Sequence, residues 1–191
     1  MNYPLVFDVE TKYSFQEVGR DLKKLEVSVV GVFDYRDETF SVYREENLKE
    51  FFRRVEHTSF LIGFNINHFD LPVLSPYYLG NIKQFKTLDL LVEIEKNLGH
   101  RISLDNLARA TLGTKKSGHG FMAINYFRQG DWEKLESYCL DDVRITKQLY
   151  EYAVKNGKLH YQTAGGIKET KINLKTNIKD EKITVSLSLP F

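Results

Sequence analysis

The sequence is poor in residues that staple or punctuate a chain. It has one cysteine, Cys139, four prolines and a single tryptophan. One thiol excludes an intrachain disulfide and any zinc cluster built on several cysteines. Long apolar runs are also missing, and none approaches the roughly 18 residues that a membrane-spanning helix needs. Charge of one sign is not in excess: 27 Lys and Arg oppose 26 Asp and Glu, a formal net charge of +1. That balance neither requires nor excludes a nucleic-acid partner, since a charged face can coexist with an acidic pocket. No basic leader with an apolar stretch is read at the N-terminus. The expectation is a soluble protein of a reducing, cytoplasmic setting with no membrane partner.

What is present is core material. The 191 residues are 42% hydrophobic, with 11 Tyr and 13 Phe, which suits one domain with a real core. Leu5 to Val9 reads as a strand, and residues 11–24 as a polar loop with at most a short helical turn. Leu25 to Phe33 is a valine-dense strand, and Thr39 to Tyr43 alternates to close a hairpin with it. In Glu45 to Glu56, the residues Leu48, Phe51, Phe52 and Val55 recur at helical spacing. Ser59 to Gly63 is a short buried strand, expected beside the first. Pro72 fits the first turn of a helix. A strand follows at Gln84 to Leu88, then a helix from Leu90 to Leu98 that Gly99 ends. Ser103 caps a helix through Leu112, and Asp131 caps one that runs on to Gly157. Residues 115–120 read as a basic, glycine-rich loop. Beyond 158, the segments at 168–177 and 182–189 alternate and are rich in lysine. They read as the two arms of a hairpin on the sheet edge, with the lysines guarding that edge. The division is a main domain over 1–157 and a Lys-rich β-hairpin extension over 158–191, packed on the same domain.

Three stretches carry chemistry. In the first strand, Asp8 and Glu10 occupy alternate positions and so share one face. Two like charges there call for a cation between them, unless the strand end simply reaches solvent. In the second, Asp70 follows a buried strand where it hands over to a helix, the usual place for a site in an open α/β sheet. It also fits an ordinary acid at a helix start. In the third, Tyr138 and Asp142 stand four apart and share a helix face, while Asp141 is turned away.

Together these stretches resemble the DEDD (DnaQ-like) superfamily of 3′–5′ exonucleases, and within it the exonuclease domain of family-B DNA polymerases. The first motif of that family, Asp-x-Glu, is matched by Asp8-Val9-Glu10 and followed by Thr11. The second reads close to Gly-Tyr-Asn-x-x-x-Phe-Asp-x-Pro-Tyr. Here it runs from Gly63-Phe64-Asn65 to Phe69-Asp70-Leu71-Pro72-Val73, with Phe64 and Val73 in place of the tyrosines. The third, Tyr-x-x-x-Asp, is matched by Tyr138 and Asp142. The tyrosine subtype (DEDDy) is indicated, because the histidine subtype would place His where Ser137 stands. The resemblance spans about residues 3–156. It implies an α/β, RNase H-like fold: a mixed five-stranded sheet flanked by helices, here with a C-terminal β-hairpin extension.

The same resemblance implies a metal-dependent 3′–5′ exonuclease that releases nucleoside 5′-monophosphates. Two Mg²⁺ or Mn²⁺ ions per site would be held by Asp8, Glu10, Asp70 and Asp142, hard oxygen ligands suited to such ions. Tyr138 would orient the attacking water. Thr11, Asn65 and Phe69 would lie near the terminal nucleotide. Lys115, Lys116 and His119 would contact the strand, although His119 also fits an exposed loop histidine. The implied partner is the 3′ end of single-stranded DNA, with RNA as the alternative. A polymerase, helicase or repair complex is a further possible setting. A catalytically silent nucleic-acid-binding module is the competing reading.

Overall fold

A computed structural model describes residues 3–114 and 121–174. Its centre is a mixed five-stranded sheet in the order β3-β2-β1-β4-β5, flanked by helices. The central strand is β1 (Leu5–Thr11). It pairs antiparallel with β2 (Val27–Asp34), which pairs antiparallel with β3 (Thr39–Arg44). On its other side, β4 (Leu61–Gly63) runs parallel to β1, and β5 (Thr87–Asp89) runs parallel to β4. The first strand thus lies beside the strand near residue 60, as expected.

Period-2 alternation divides β1 between two cores. Leu5, Phe7 and Val9 face a cluster with α2 (Leu48–Val55) and α3 (Asp70–Leu74). Val6 faces the other cluster, with α4 (Leu90–Leu98), α5 (Leu104–Leu107) and the long α7 (Trp132–Asn156). Asp8 and Glu10 share the parity of Val6, so they point to the α7 side. The apolar stripe of α2 is fully buried at Leu48, Phe51, Phe52 and Val55, each contributing about 1.5–3 kcal/mol. The Ser103-capped helix does extend to Leu112 and Gly113. Its last five residues, Ala108–Leu112, are wound as a π-helix. Among the described residues, no helix is long and apolar enough to cross a membrane.

Helix α7 crosses the sheet where β2 has no side chain. A Cβ on Gly31 would lie 2.9 Å from Cys139 Sγ, 3.0 Å from Val143 Cγ2 and 3.3 Å from the Cys139 carbonyl carbon. The Gly31 N–H donates to Cys139 Sγ at 3.1 Å, and that thiol donates to the Asp8 carbonyl at 3.5 Å. Burial pushes the Cys139 thiol well up from its ordinary value, so it stays protonated and able to donate. The lone cysteine therefore ties α7, which carries Asp142, to the strand that carries Asp8. Gly31→Ala is expected to lower stability by about 1–3 kcal/mol through overpacking against the Cys139 and Val143 side chains and the Cys139 backbone behind them. A lower urea midpoint at unchanged slope would show it.

The sequence reading needs two corrections. Helix α6 (Phe121–Gln129) was not expected. Its sequence, FMAINYFRQ, has apolar residues around most of its circumference, so no polar face marks a period. The hairpin is also placed differently. Its arms are β6 (Lys158–Thr163) and β7 (Gly166–Lys171), paired across a two-residue turn. Gly166, with φ of 104°, sits where a side chain would be strained. The hairpin forms its own two-stranded sheet rather than extending the main one. Leu159, Tyr161 and Ile172 bury into the α4–α5–α7 core. Thr111 exchanges two hydrogen bonds of 2.9 Å with the His160 backbone. The expected second arm, 182–189, lies outside the described residues.

Candidate active site

The site forms because β4 is short. It pairs with β1 only at Leu5–Leu61 and Val6–Ile62, then ends at Gly63. A Cβ on Gly63 would fall 2.1 Å from Ile66 Cγ2 and 3.1 Å from the Phe7 carbonyl. Only glycine lets the chain turn away that tightly. Beyond the turn, the Asp70 carboxylate returns to β1 and accepts the Val9 N–H at 2.9 Å. It takes the place of the carbonyl that a longer β4 would have offered.

The turning loop is held by Asp89, at the end of β5. Asp89 is 2% exposed, and it accepts the N–H groups of Asn65 at 2.8 Å and Asn67 at 3.0 Å. The same side chain caps α4 through the N–H of Leu91 at 3.1 Å. Asn65 adopts φ of +69°, a left-handed conformation that Asn tolerates better than most residues. Asn65 Oδ1 accepts from the Arg101 guanidinium at 2.5 Å.

Over this crevice the structure brings Asp8, Glu10 and Asp142 together. One carboxylate oxygen from each lies within 4.8 Å of the others. Asp142 is buried, and Asp8 and Glu10 are half-buried. Three like charges so close favour a divalent cation, and the all-oxygen donor set suits a hard one. Asp141, by contrast, faces outward and pairs with Arg144. Asp70 lines the same cavity and is 2% exposed. Burial pushes its carboxyl up to about 8, and the charges of Asp89 and Asp142 add to the effect while the Val9 N–H opposes it.

This shift has a consequence for stability. An acid raised from 3.8 to about 8 in the fold keeps its proton where the unfolded chain has lost it. Between those values the folded state binds more protons, so stability falls as pH rises. Metal-free protein is therefore expected to melt at a lower temperature at pH 8 than at pH 5. Mn²⁺, which favours the charged form, should flatten that slope, and so should Asp70→Asn. Thermal melts in chelator and in Mn²⁺ across this range check both expectations.

The cavity beside the acids has a volume of about 480 Å³. Thr11, Asn65 and Phe69 line it. Thr11 is buried, and its hydroxyl donates to the Tyr13 carbonyl at 3.0 Å. Phe69 meets Phe15 edge to face, with ring centroids 5.9 Å apart. Tyr138 stands one turn before Asp142, 4% exposed, in a cluster with Val29 and Ala123. It does not line the cavity. Lys115, Lys116 and His119 lie outside the described residues.

Sequence reasoning missed three aromatic rims of this cavity. Tyr13, Phe15 and Phe121 are 39%, 45% and 64% exposed and all line it. Large exposed aromatics in a polar loop were a signal available at Tyr13 and Phe15. Phe121 lies on α6, whose Gly130-Asp131 boundary with α7 combines a left-handed glycine with a helix cap. Asp89 and Arg101 were missed as well, since nothing local marks a residue that braces a loop distant in sequence.

Comparisons with known proteins agree with this architecture. Among solved structures, the chain is similar to the family B DNA polymerase from the hyperthermophilic archaeon Pyrobaculum calidifontis. There the TM-score is 0.63 at 20% identity, covering 81% of this chain and 25% of that one. It is also similar to Trypanosoma brucei RNase D, with a TM-score of 0.60 at 15% identity, covering 81% of this chain and 58% of that one. The chain thus spans a quarter of the first protein and just over half of the second. No curated protein sequence matches it. The family model for the RNase_H superfamily matches residues 5–154. The match covers more than half of the sequence, and the chain belongs to the RNase_H superfamily.

Proposed function

We propose that this protein is a metal-dependent 3′–5′ exonuclease of the tyrosine subtype. Its substrate is single-stranded nucleic acid, DNA in preference to RNA, and its products are nucleoside 5′-monophosphates. The observation that carries the reading is the meeting of Asp8, Glu10 and Asp142 within 4.8 Å beside an aromatic-rimmed cavity. A silent binding module has no use for three clustered carboxylates, which cost stability and repel a phosphate chain. The preference for DNA rests on the likeness of the second motif to that of the polymerase branch.

Asp8, Glu10, Asp70 and Asp142 are the residues that would hold two Mg²⁺ or Mn²⁺ ions. When bound, such ions activate water as a nucleophile and neutralise charge on the reacting phosphodiester. Asp8 would serve both ion sites, Glu10 and Asp142 one of them, and Asp70 the other. Burial raises its carboxyl to about 8, so Asp70 would have to give up its proton to take part. Tyr138 would hold the attacking water by a hydrogen bond. A free phenol is a poor base at neutral pH, so orientation would be its contribution. Thr11 and Asn65 would position the terminal nucleotide. Phe69, Tyr13, Phe15 and Phe121 offer faces to unpaired bases, which only a single strand can present. Lys115, Lys116 and His119 would contact the strand's phosphates. The setting would be a polymerase, helicase or repair complex, or action alone.

A 5′-labelled single-stranded DNA and the matching RNA, each with Mg²⁺ and with Mn²⁺, test the proposal. It predicts a ladder shortening from the 3′ end, faster on DNA. Faster cutting of RNA would make the protein an exoribonuclease. Binding without cutting would make it a binding module. The aromatic rim gives a separate expectation. Stacking contributes about 1–3 kcal/mol per base, so Phe15→Ala and Phe121→Ala should each weaken single-strand binding by roughly 5- to 150-fold. Fluorescence anisotropy in Ca²⁺ would measure it.

A further inference from the structure

The acid cluster borders two cavities. The one described above is aromatic. The second, of about 460 Å³, shares Asp8, Asn65 and Asp142 with the first and is otherwise lined by residues that include Arg101 and Ser103. Nothing in the catalytic scheme uses Arg101. Its guanidinium is exposed, and it is held by a neutral group, the Asn65 amide oxygen. Among the described residues it makes no ion pair, although two carboxylates of the cluster line the same cavity. A guanidinium has five N–H donors in a rigid fork that matches phosphate geometry. The Asn65 bond fixes the fork's orientation and leaves other donors for a ligand. Asn65 is itself fixed by Asp89 through its backbone N–H. The cation is therefore braced in place before any ligand arrives.

We propose that Arg101 seats the phosphodiester on the 5′ side of the scissile one, so that the strand runs from the second cavity, over the acids, into the aromatic cavity. The proposal rests on the exonuclease reading and assigns it a direction. The larger, aromatic cavity takes the terminal base, which has an apolar face to bury. The reacting phosphate lies at the acids. The next phosphate then falls on the side where the braced cation stands. The contact is to backbone, so it adds affinity without sequence preference.

The test pairs Arg101→Gln with single-stranded oligonucleotides that carry one uncharged methylphosphonate linkage. Binding is read by anisotropy in Ca²⁺, and melting curves confirm that the variant folds. In the wild type, a methylphosphonate at the last linkage but one should weaken binding about tenfold, as expected for loss of a charge-assisted hydrogen bond. Arg101→Gln should weaken binding of the natural strand by a similar factor, and the methylphosphonate should then cost nothing further. The slope of log affinity against log salt should fall by about 1 in the variant. Arg101→Lys should keep the slope while binding less tightly. Additive losses, or a variant with the wild-type affinity and slope, would overturn the assignment. If the wild type neither binds nor cuts any of these strands, the exonuclease reading itself fails, and that result is distinct from additivity.

Discussion

Asp142→Asn should nearly abolish hydrolysis while making the metal-free protein more stable. Asp142 is 2% exposed on α7 and is one of the three carboxylates within 4.8 Å. Asparagine keeps its shape and removes its charge. With one anionic ligand of the proposed metal centre gone, hydrolysis should fall on the order of 10³-fold, the scale of losing one preorganised electrostatic contact. The gain in stability has the same origin. Two unit charges at such a distance repel by roughly 3 kcal/mol at an effective dielectric of about 20. Relief of that repulsion, at about 2–4 °C per kcal/mol for a chain of this size, raises the melting temperature in chelator by several degrees. Added Mn²⁺ should stabilise the wild type more than the variant. A substitution that lowered both activity and metal-free stability would place Asp142 in the scaffold instead.

Tyr138→Phe should separate orientation from ligation. Its ring is buried with Val29, which pairs across the sheet with Glu10. Phenylalanine keeps that packing and loses only the hydroxyl. Turnover should fall roughly 10²-fold, at the low end of what a positioned proton-transfer or hydrogen-bonding group contributes. The stabilisation by Mn²⁺ should remain as in the wild type. A rate close to wild type would remove Tyr138 from the site, and loss of Mn²⁺ binding would show that it supports the ligands.

Much of this was visible in the chain itself. Asp8 and Glu10 could be placed on one face because a strand alternates strictly. Tyr138 and Asp142 could be placed one turn apart because a helix repeats every 3.6 residues. Local periodicity also gave the strands and most helices. What it could not give was long-range closure. The sequence offers no sign that Cys139 ties α7 to the Asp8 backbone, or that Gly31 exists to admit that helix. Asp70 was expected as a ligand. Its hydrogen bond to Val9, where β4 stops short, appears only when the sheet is assembled. Helix α6 escaped because an apolar helix without a polar face has no readable period. The hairpin was shifted because alternation marks a strand without naming its partner. The turn glycines Gly165 and Gly166 carried that information.

The central claim is that Asp8, Glu10 and Asp142, with Asp70 beside them, form a divalent-metal centre. Anomalous diffraction from crystals grown in Mn²⁺ tests it most directly. The account predicts two anomalous peaks at this cluster in the wild type, with at least one lost in Asp8→Asn. An empty cluster, or peaks unchanged in that variant, would contradict it.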